Sequence, residues 1–289
     1  MHNITKIGHL TDIHYSYPEN ITIKQLMSKR LYGYIFWKLS KGKRFDFSML
    51  KEIKEDIKKE QLDHIVVTGD LTQLCLPEEF YKVKTFLQSL HSQENISIIP
   101  GNHDFYVSEG KKHFYKEFQL QYPFVKIINN CALIGVNSAV VTPPVVSYGY
   151  LTQSQIKKLQ EITERLDNRY FNILLIHHPP INGITFWNKA LINTKEIIKI
   201  LKTGIINLVL YGHIHRFSIR YFSSINGKIP VISASPLAYA LRKHNQIGGY
   251  NIYEINRANN KWRLIIKRKT YNFQTKSFDV ETFDFFIFS

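Results

Sequence analysis

Five short polar runs carry the side chains best suited to chemistry: Thr11-Asp12-Ile13-His14, Thr68-Gly69-Asp70, Pro100-Gly101-Asn102-His103-Asp104, His177-His178-Pro179-Pro180 and Gly212-His213-Ile214-His215. Half of the chain's 12 histidines lie in them. Carboxylate, imidazole and amide oxygen together make a site suited to Mn, Fe, Zn, Co or Ni, not to thiolate-bound structural zinc. The set exceeds what one tetrahedral ion takes. Two ions about 3.5–4 Å apart could share Asp70 and clamp a phosphoryl group, with the bound water losing a proton near pH 7. His103 follows a candidate ligand directly, so it can sit at the rim and handle a proton. Gly101 lets the backbone turn sharply or approach a bound group.

Each run leaves a segment that reads as a strand. Lys6–Leu10, His64–Val67, Asn95–Ile99, Asn172–Ile176 and Ile206–Leu210 are short and apolar, and each ends in one of the five runs. Open α/β sheets usually place ligands at such strand ends. On an extended segment, alternation puts Asp12 and His14 on one side, within reach of one ion. Between the strands the spacing predicts helices over Phe45–Leu62, Pro77–His91, Glu109–Leu120, Gln153–Leu166 and Thr194–Lys202. Pro77 fits a first helical turn, Thr152 an N-cap with Gln155 completing a capping box, and Gly204 a C-cap. Val125–Ile128 and Ala132–Val136 add strands. Beyond Ser218 the helical signals stop, and strands centre on 229–232, 250–255 and 262–266, the last two joined by a turn at 257–260. The tail carries Phe283, Phe285, Phe286 and Phe288, enough to cover a sheet edge.

With 289 residues, 44% hydrophobic content and no linker or repeat, residues 1–289 read as one globular unit. Two cysteines without CxxC spacing indicate a reducing compartment, and the absence of a long apolar run indicates a cytoplasmic or peripheral protein. The net charge of +15 suits an anionic partner, whether nucleic acid, anionic lipid or a phosphorylated substrate. Residues 21–44 concentrate it. Lys24, Lys29, Arg30, Lys38, Lys41, Lys43 and Arg44 occur there without an acid, interleaved with Leu26, Met27, Leu31, Tyr34, Ile35, Phe36, Trp37 and Leu39. This stretch suits either a basic cap over the site, with membrane contact, or a long loop holding one core-packed helix. Lys261, Arg263, Lys267, Arg268 and Lys269 form a second basic run.

The order D-x-H, G-D, G-N-H-D, H-H-P-P, G-H-x-H over residues 5–216 resembles the calcineurin-like metallophosphoesterases. That resemblance implies an α/β fold, a four-layer α/β/β/α sandwich of two mixed sheets with a dinuclear site at one edge. It implies that Asp12, His14 and His215 bind one metal, that Asn102, His177 and His213 bind the other, and that Asp70 bridges them. His103 would protonate the leaving oxygen or steady the phosphoryl group. Two divalent ions, Mn, Fe or Zn with Mn favoured, would be the cofactors. Arg30, Lys38, Arg44 and His178 are candidates for substrate contact. Gln73 stands where the protein-phosphatase branch has an acid orienting the catalytic histidine, the glycine motif continues G-D-L-T, and Asp104 replaces Glu. The pattern is thus similar to the bacterial phosphodiesterase branch. The implied activity is metal-dependent hydrolysis of a phosphodiester or pyrophosphate by in-line attack of metal-bound hydroxide. The substrate alternatives are a UDP-diacylglucosamine-type lipid pyrophosphate at the membrane surface and a cyclic nucleotide, with a nuclease or a non-catalytic scaffold as further readings.

Overall fold

The computed structural model describes residues 4–16, 21–41, 44–240, 246–258 and 261–287. Lys43, Asn259, Asn260 and Phe288, which entered the sequence reading, lie outside the described residues. Among those described, twelve strands form two six-stranded sheets. The first has the order β12-β11-β10-β1-β2-β3, built from β1 (Thr5–Leu10), β2 (His64–Thr68), β3 (Ile96–Ile99), β10 (Gly249–Ala258), β11 (Lys261–Asn272) and β12 (Ser277–Ile287). The second has the order β4-β5-β6-β7-β9-β8, from β4 (Phe124–Ile128), β5 (Cys131–Gly135), β6 (Phe171–Leu175), β7 (Leu208–Tyr211), β8 (Ser218–Ser224) and β9 (Gly227–Ser233). Both sheets are mixed: β1, β2 and β3 run parallel, as do β5, β6, β7 and β9, and the remaining pairings are antiparallel.

Three apolar layers explain the stacking. Ile7, Val66 and Ile99 of the first sheet meet Leu133, Ile173, Leu175 and Leu210 of the second in a core between the sheets. Because strand side chains alternate, Leu10, Ile65, Val67 and Ile98 face outward. They are covered by Ile53 and Ile57 of α3 (Met49–Lys59), Phe80, Val83 and Leu87 of α4 (Pro77–Leu90), and Phe114 and Phe118 of α5 (Ser108–Phe118). On the far side, Ala132, Ile134, Leu174 and Val209 pack under Ile156 and Leu159 of α6 (Gln153–Arg165) and Ile197, Ile200 and Leu201 of α7 (Thr194–Lys202). The result is the expected α/β/β/α sandwich.

Several local readings change. Thr152 caps α6 by accepting from Gln155 N, but the Gln155 side chain bonds the Asn137 backbone instead of closing the box. Helix α3 begins at Met49, because Phe45 bridges to Tyr239 and packs its ring on His14. The aromatic tail covers the β11 edge by pairing with it as strand β12, with Phe283 stacked on Phe217. Residues 21–41 form α1 (Ile23–Leu26) and α2 (Arg30–Phe36), the latter continuing as a wider π-helical turn over Trp37–Lys41.

Candidate dinuclear metal centre

The five polar runs meet at the C-terminal ends of β1, β2, β3, β6 and β7. Convergence comes from the backbone, and not from strand alternation as the sequence suggested. Asp12, His14, Asp70, His213 and His215 all have left-handed φ, between 48° and 71°. Such a conformation costs about 1–3 kcal/mol per non-glycine residue and persists only where the surroundings enforce it. Here Asp12 N donates to the Gly69 carbonyl (3.0 Å) and His14 N to the Asp70 carbonyl (2.9 Å), lacing the first run to the second. A Cβ on Gly101 would collide with the Asp70 backbone and carboxylate, so only glycine lets the third run pack this closely on the second. Asp104 ties the second and third runs together. Its buried carboxylate accepts from the backbone N–H groups of Gly101, Leu71 and Thr72 and from the Thr72 hydroxyl.

The candidate ligand atoms form two groups, Asp12, His14, Asp70 and His215 in one and His177, His178 and His213 in the other, with Asp70 also beside His177. Asp70 Oδ2 lies 3.6 Å from His14 Nε2 and 3.5 Å from His177 Nε2. On one side His14 Nε2 and His215 Nε2 are 2.9 Å apart, and Asp12 Oδ1 is 3.3 Å from His215 Nε2. On the other, Asn102 Oδ1 lies 2.8 Å from His213 Nδ1 and 3.3 Å from His177 Nε2. Nitrogen and oxygen atoms crowded this closely in a buried pocket suit cations placed between them, so the residues present fit a pair of divalent ions. Second contacts set the donor atoms. His177 Nδ1–H donates to the Thr68 carbonyl (2.7 Å), which turns the Nε2 lone pair toward Asp70. Burial alone would raise Asp70, yet the imidazoles of His177, His103 and His14 hold its carboxyl well below the usual range.

A family model described as calcineurin-like phosphoesterase matches residues 5–217. The chain belongs to that family. Membership makes it a phosphoric ester hydrolase of a metal-dependent class, and the His/Asp cluster described above could hold such ions. Among relatives, a 3',5'-cyclic-nucleotide phosphodiesterase of Nostoc sp. is 26% identical over 92% of this chain and 93% of its own. A component of the Staphylococcus epidermidis nuclease SbcCD is 27% identical over 72% of this chain and 59% of its own. In fold, the chain resembles yellow lupin purple acid phosphatase PPD1 (TM-score 0.65, 10% identity), covering 98% of this chain and 54% of the other.

Beside the calcineurin-like centre, His103 lies on the cleft wall. Its Nδ1–H donates to the Gln73 carbonyl (2.8 Å), which sets the ring's orientation and leaves Nε2 as the unprotonated nitrogen of the neutral ring. Tyr106 stacks on its ring, with centroids 5.5 Å apart and planes 5° from parallel. The backbone of Gln73 thus does the orienting that a side-chain acid does in the phosphatase branch. His178 is placed differently. Its Nε2–H donates to the Ser147 carbonyl and its Nδ1 accepts from the Ser138 hydroxyl (2.8 Å), so neither a lone pair nor a proton is directed at a substrate. Burial and the neighbouring His177 push it down to about 3, keeping it neutral.

The centre opens into a cleft of about 700 Å³ lined by Arg44, Asn102, His103, Lys189, Arg216 and Tyr239 among others. Of the basic residues expected to contact substrate, Arg44 is there. Arg30 is not: its guanidinium is buried, donating to the Leu74 and Cys75 carbonyls and pairing with Glu109 at 2.8 Å. Lys38 places its ammonium 5.7 Å from the Tyr34 ring centroid and, among the described residues, does not line the cleft. Sequence reasoning missed Arg216, Lys189 and Tyr106. Arg216 directly follows G-H-I-H and Tyr106 lies two residues beyond Asp104, so adjacency to the runs was an available signal; Lys189 offered none.

Proposed function

We propose that the chain is a dinuclear metal-dependent hydrolase of a phosphodiester or pyrophosphate, with residues 1–289 acting as one unit. The carrying observation is the position of Asp70 Oδ2, nearly equidistant from His14 and His177. Asp12, His14 and His215 would hold one ion, Asn102, His177 and His213 the other, and Asp70 both. The mixed oxygen and imidazole donors favour Mn over thiolate-preferring metals. When bound, the ions supply charge neutralisation on the phosphoryl oxygens and an acidified water. His103, held by the Gln73 carbonyl, gives a proton to the leaving oxygen. Arg44, Arg216 and Lys189 bind the anionic remainder of the substrate.

The relatives named as cyclic-nucleotide phosphodiesterases support a cyclic nucleotide as one substrate. A lipid-linked phosphate is supported by a different observation: Ile23, Met27, Leu39, Phe186 and Trp187 are each 73–82% exposed. That apolar surface suits peripheral contact with the cytoplasmic face of a membrane. No helix among the described residues is long and apolar enough to cross one. A panel of cyclic nucleotides, glycerophosphodiesters and UDP-acyl sugars, run with Mn and with EDTA, tests the reading. EDTA-sensitive cleavage of a diester or pyrophosphate is expected; inert Mn-loaded protein contradicts it.

A further inference from the structure

A second cavity, of about 510 Å³, adjoins the metal cleft and is also lined by His103. It shares Phe36, Asn102, His103, Ser147 and Lys189 with the metal cleft, so one ligand can run through both. Its character differs. Tyr32, Ile35, Phe36 and Leu39 line it at i, i+3, i+4, i+7 spacing, and these four are exposed, from Ile35 at 46% to Leu39 at 73%. An apolar stripe at this spacing normally faces a core. On α2 the buried side is instead Arg30 and Gly33, against the loop after β2, and the apolar side is turned to the groove. Tyr106 and Val146 form the facing wall. The Lys29 ammonium in the lining is already engaged by the Thr142 carbonyl and hydroxyl (both 3.0 Å) and by the Tyr106 ring.

We propose that this groove holds a single alkyl or acyl chain borne on the leaving-group oxygen of the substrate; the proposal rests on the hydrolase reading above. Three observations select a chain. The walls are aliphatic and aromatic, with few polar atoms of the kind that read a nucleobase or sugar edge. The groove begins at His103, the group that protonates the leaving oxygen, so what departs lies on this side. The cations Arg44 and Arg216 line only the metal cleft, Lys189 lines both spaces and the groove's Lys29 is already engaged, which assigns the anionic part of the substrate to the cleft. The favoured substrate is therefore amphiphilic, with its phosphate at the ions and its tail along α2.

Two measurements test this on the full chain. Calorimetry with n-alkylphosphonates from ethyl to dodecyl, with and without Mn, reads the groove independently of turnover. Hydrolysis of n-alkyl esters of AMP, followed as AMP released with Mn present, reads it during catalysis. Affinity and kcat/KM should each rise up to about fourfold per methylene until the groove is full. Leu39→Asp and Ile35→Asp, both at exposed positions, should flatten the two profiles. Profiles independent of chain length, or a preference for aryl over alkyl groups of equal size, would overturn the chain site. Chain-dependent binding of the phosphonates without cleavage of any ester would keep the site and sink the hydrolase reading instead.

Discussion

Asp12 and His14 illustrate what a sequence conveys about a metal site. Their types and their place after β1 were legible, and so was their convergence in one cluster. The route was not, because alternation presumes extended backbone and both residues are left-handed, held by carbonyls of residues 69 and 70. His103 shows the same limit: its place beside Asn102 suggested proton handling, whereas the group that orients it is a backbone carbonyl no residue pattern encodes. Its role is testable through the leaving group. His103→Gln should slow hydrolysis of alkyl diesters by about 10²–10⁴, the usual worth of general acid catalysis. Esters of p-nitrophenol, whose anion departs without a proton, should slow far less. Equal losses on both substrates, measured as kcat at saturating Mn, would mean that His103 does not act as the acid.

Helix α2 is pinned by its basic residues and not solvated by them. Arg30 reaches under the helix to the 74–75 carbonyls, one residue beyond the carbonyl that holds His103. Charge content alone marked Arg30 as a surface cation; only packing reveals its two buried carbonyl acceptors. Arg30→Ala should cost about 2–4 kcal/mol in urea unfolding, mostly from carbonyls left without donors, since Glu109 is exposed and its ion pair is worth little. A loss under about 0.5 kcal/mol, the range of an ordinary surface substitution, would contradict that role. Glu79 braces the same loop from α4, accepting from Leu74 N (2.9 Å) and Leu76 N (3.0 Å). Burial pushes its carboxyl up to about 8 from an ordinary 4.5. The folded state therefore binds the proton more tightly, so this contribution to stability is complete below pH 4.5 and is lost as pH rises through 8. Glu79→Gln keeps an acceptor and cannot titrate; its stability should fall less between about pH 5 and pH 8 than that of the parent. Parallel pH profiles would refute the assignment.

The four-layer sandwich was legible because each layer leaves its own periodicity, while β8, a half-exposed edge strand, left little signal. Net charge misled more than pattern did. The basic run on β11 is largely neutralised by its neighbours: Arg263 pairs with Asp284, Lys267 with Glu254 and Arg268 with Glu281 on adjacent strands, and Lys269 with Asp56 and Glu60 at the end of α3. Those pairs engage the second basic run, whereas Arg44, Lys189 and Arg216 line the cleft. What unites the molecule is that both sheets deliver candidate ligands to one place, Asp12, His14, Asp70 and Asn102 from the first and His177, His213 and His215 from the second. Asp70 is where the two sets join. Manganese bound per chain, counted after gel filtration of Mn-saturated protein alongside hydrolysis of bis(p-nitrophenyl) phosphate, tests that junction directly. The parent should retain two ions and be active, and Asp70→Asn should retain one or none and be inactive. A parent that saturates at a single ion, or an Asp70→Asn variant that keeps both ions and full activity, would contradict a bridged dinuclear centre.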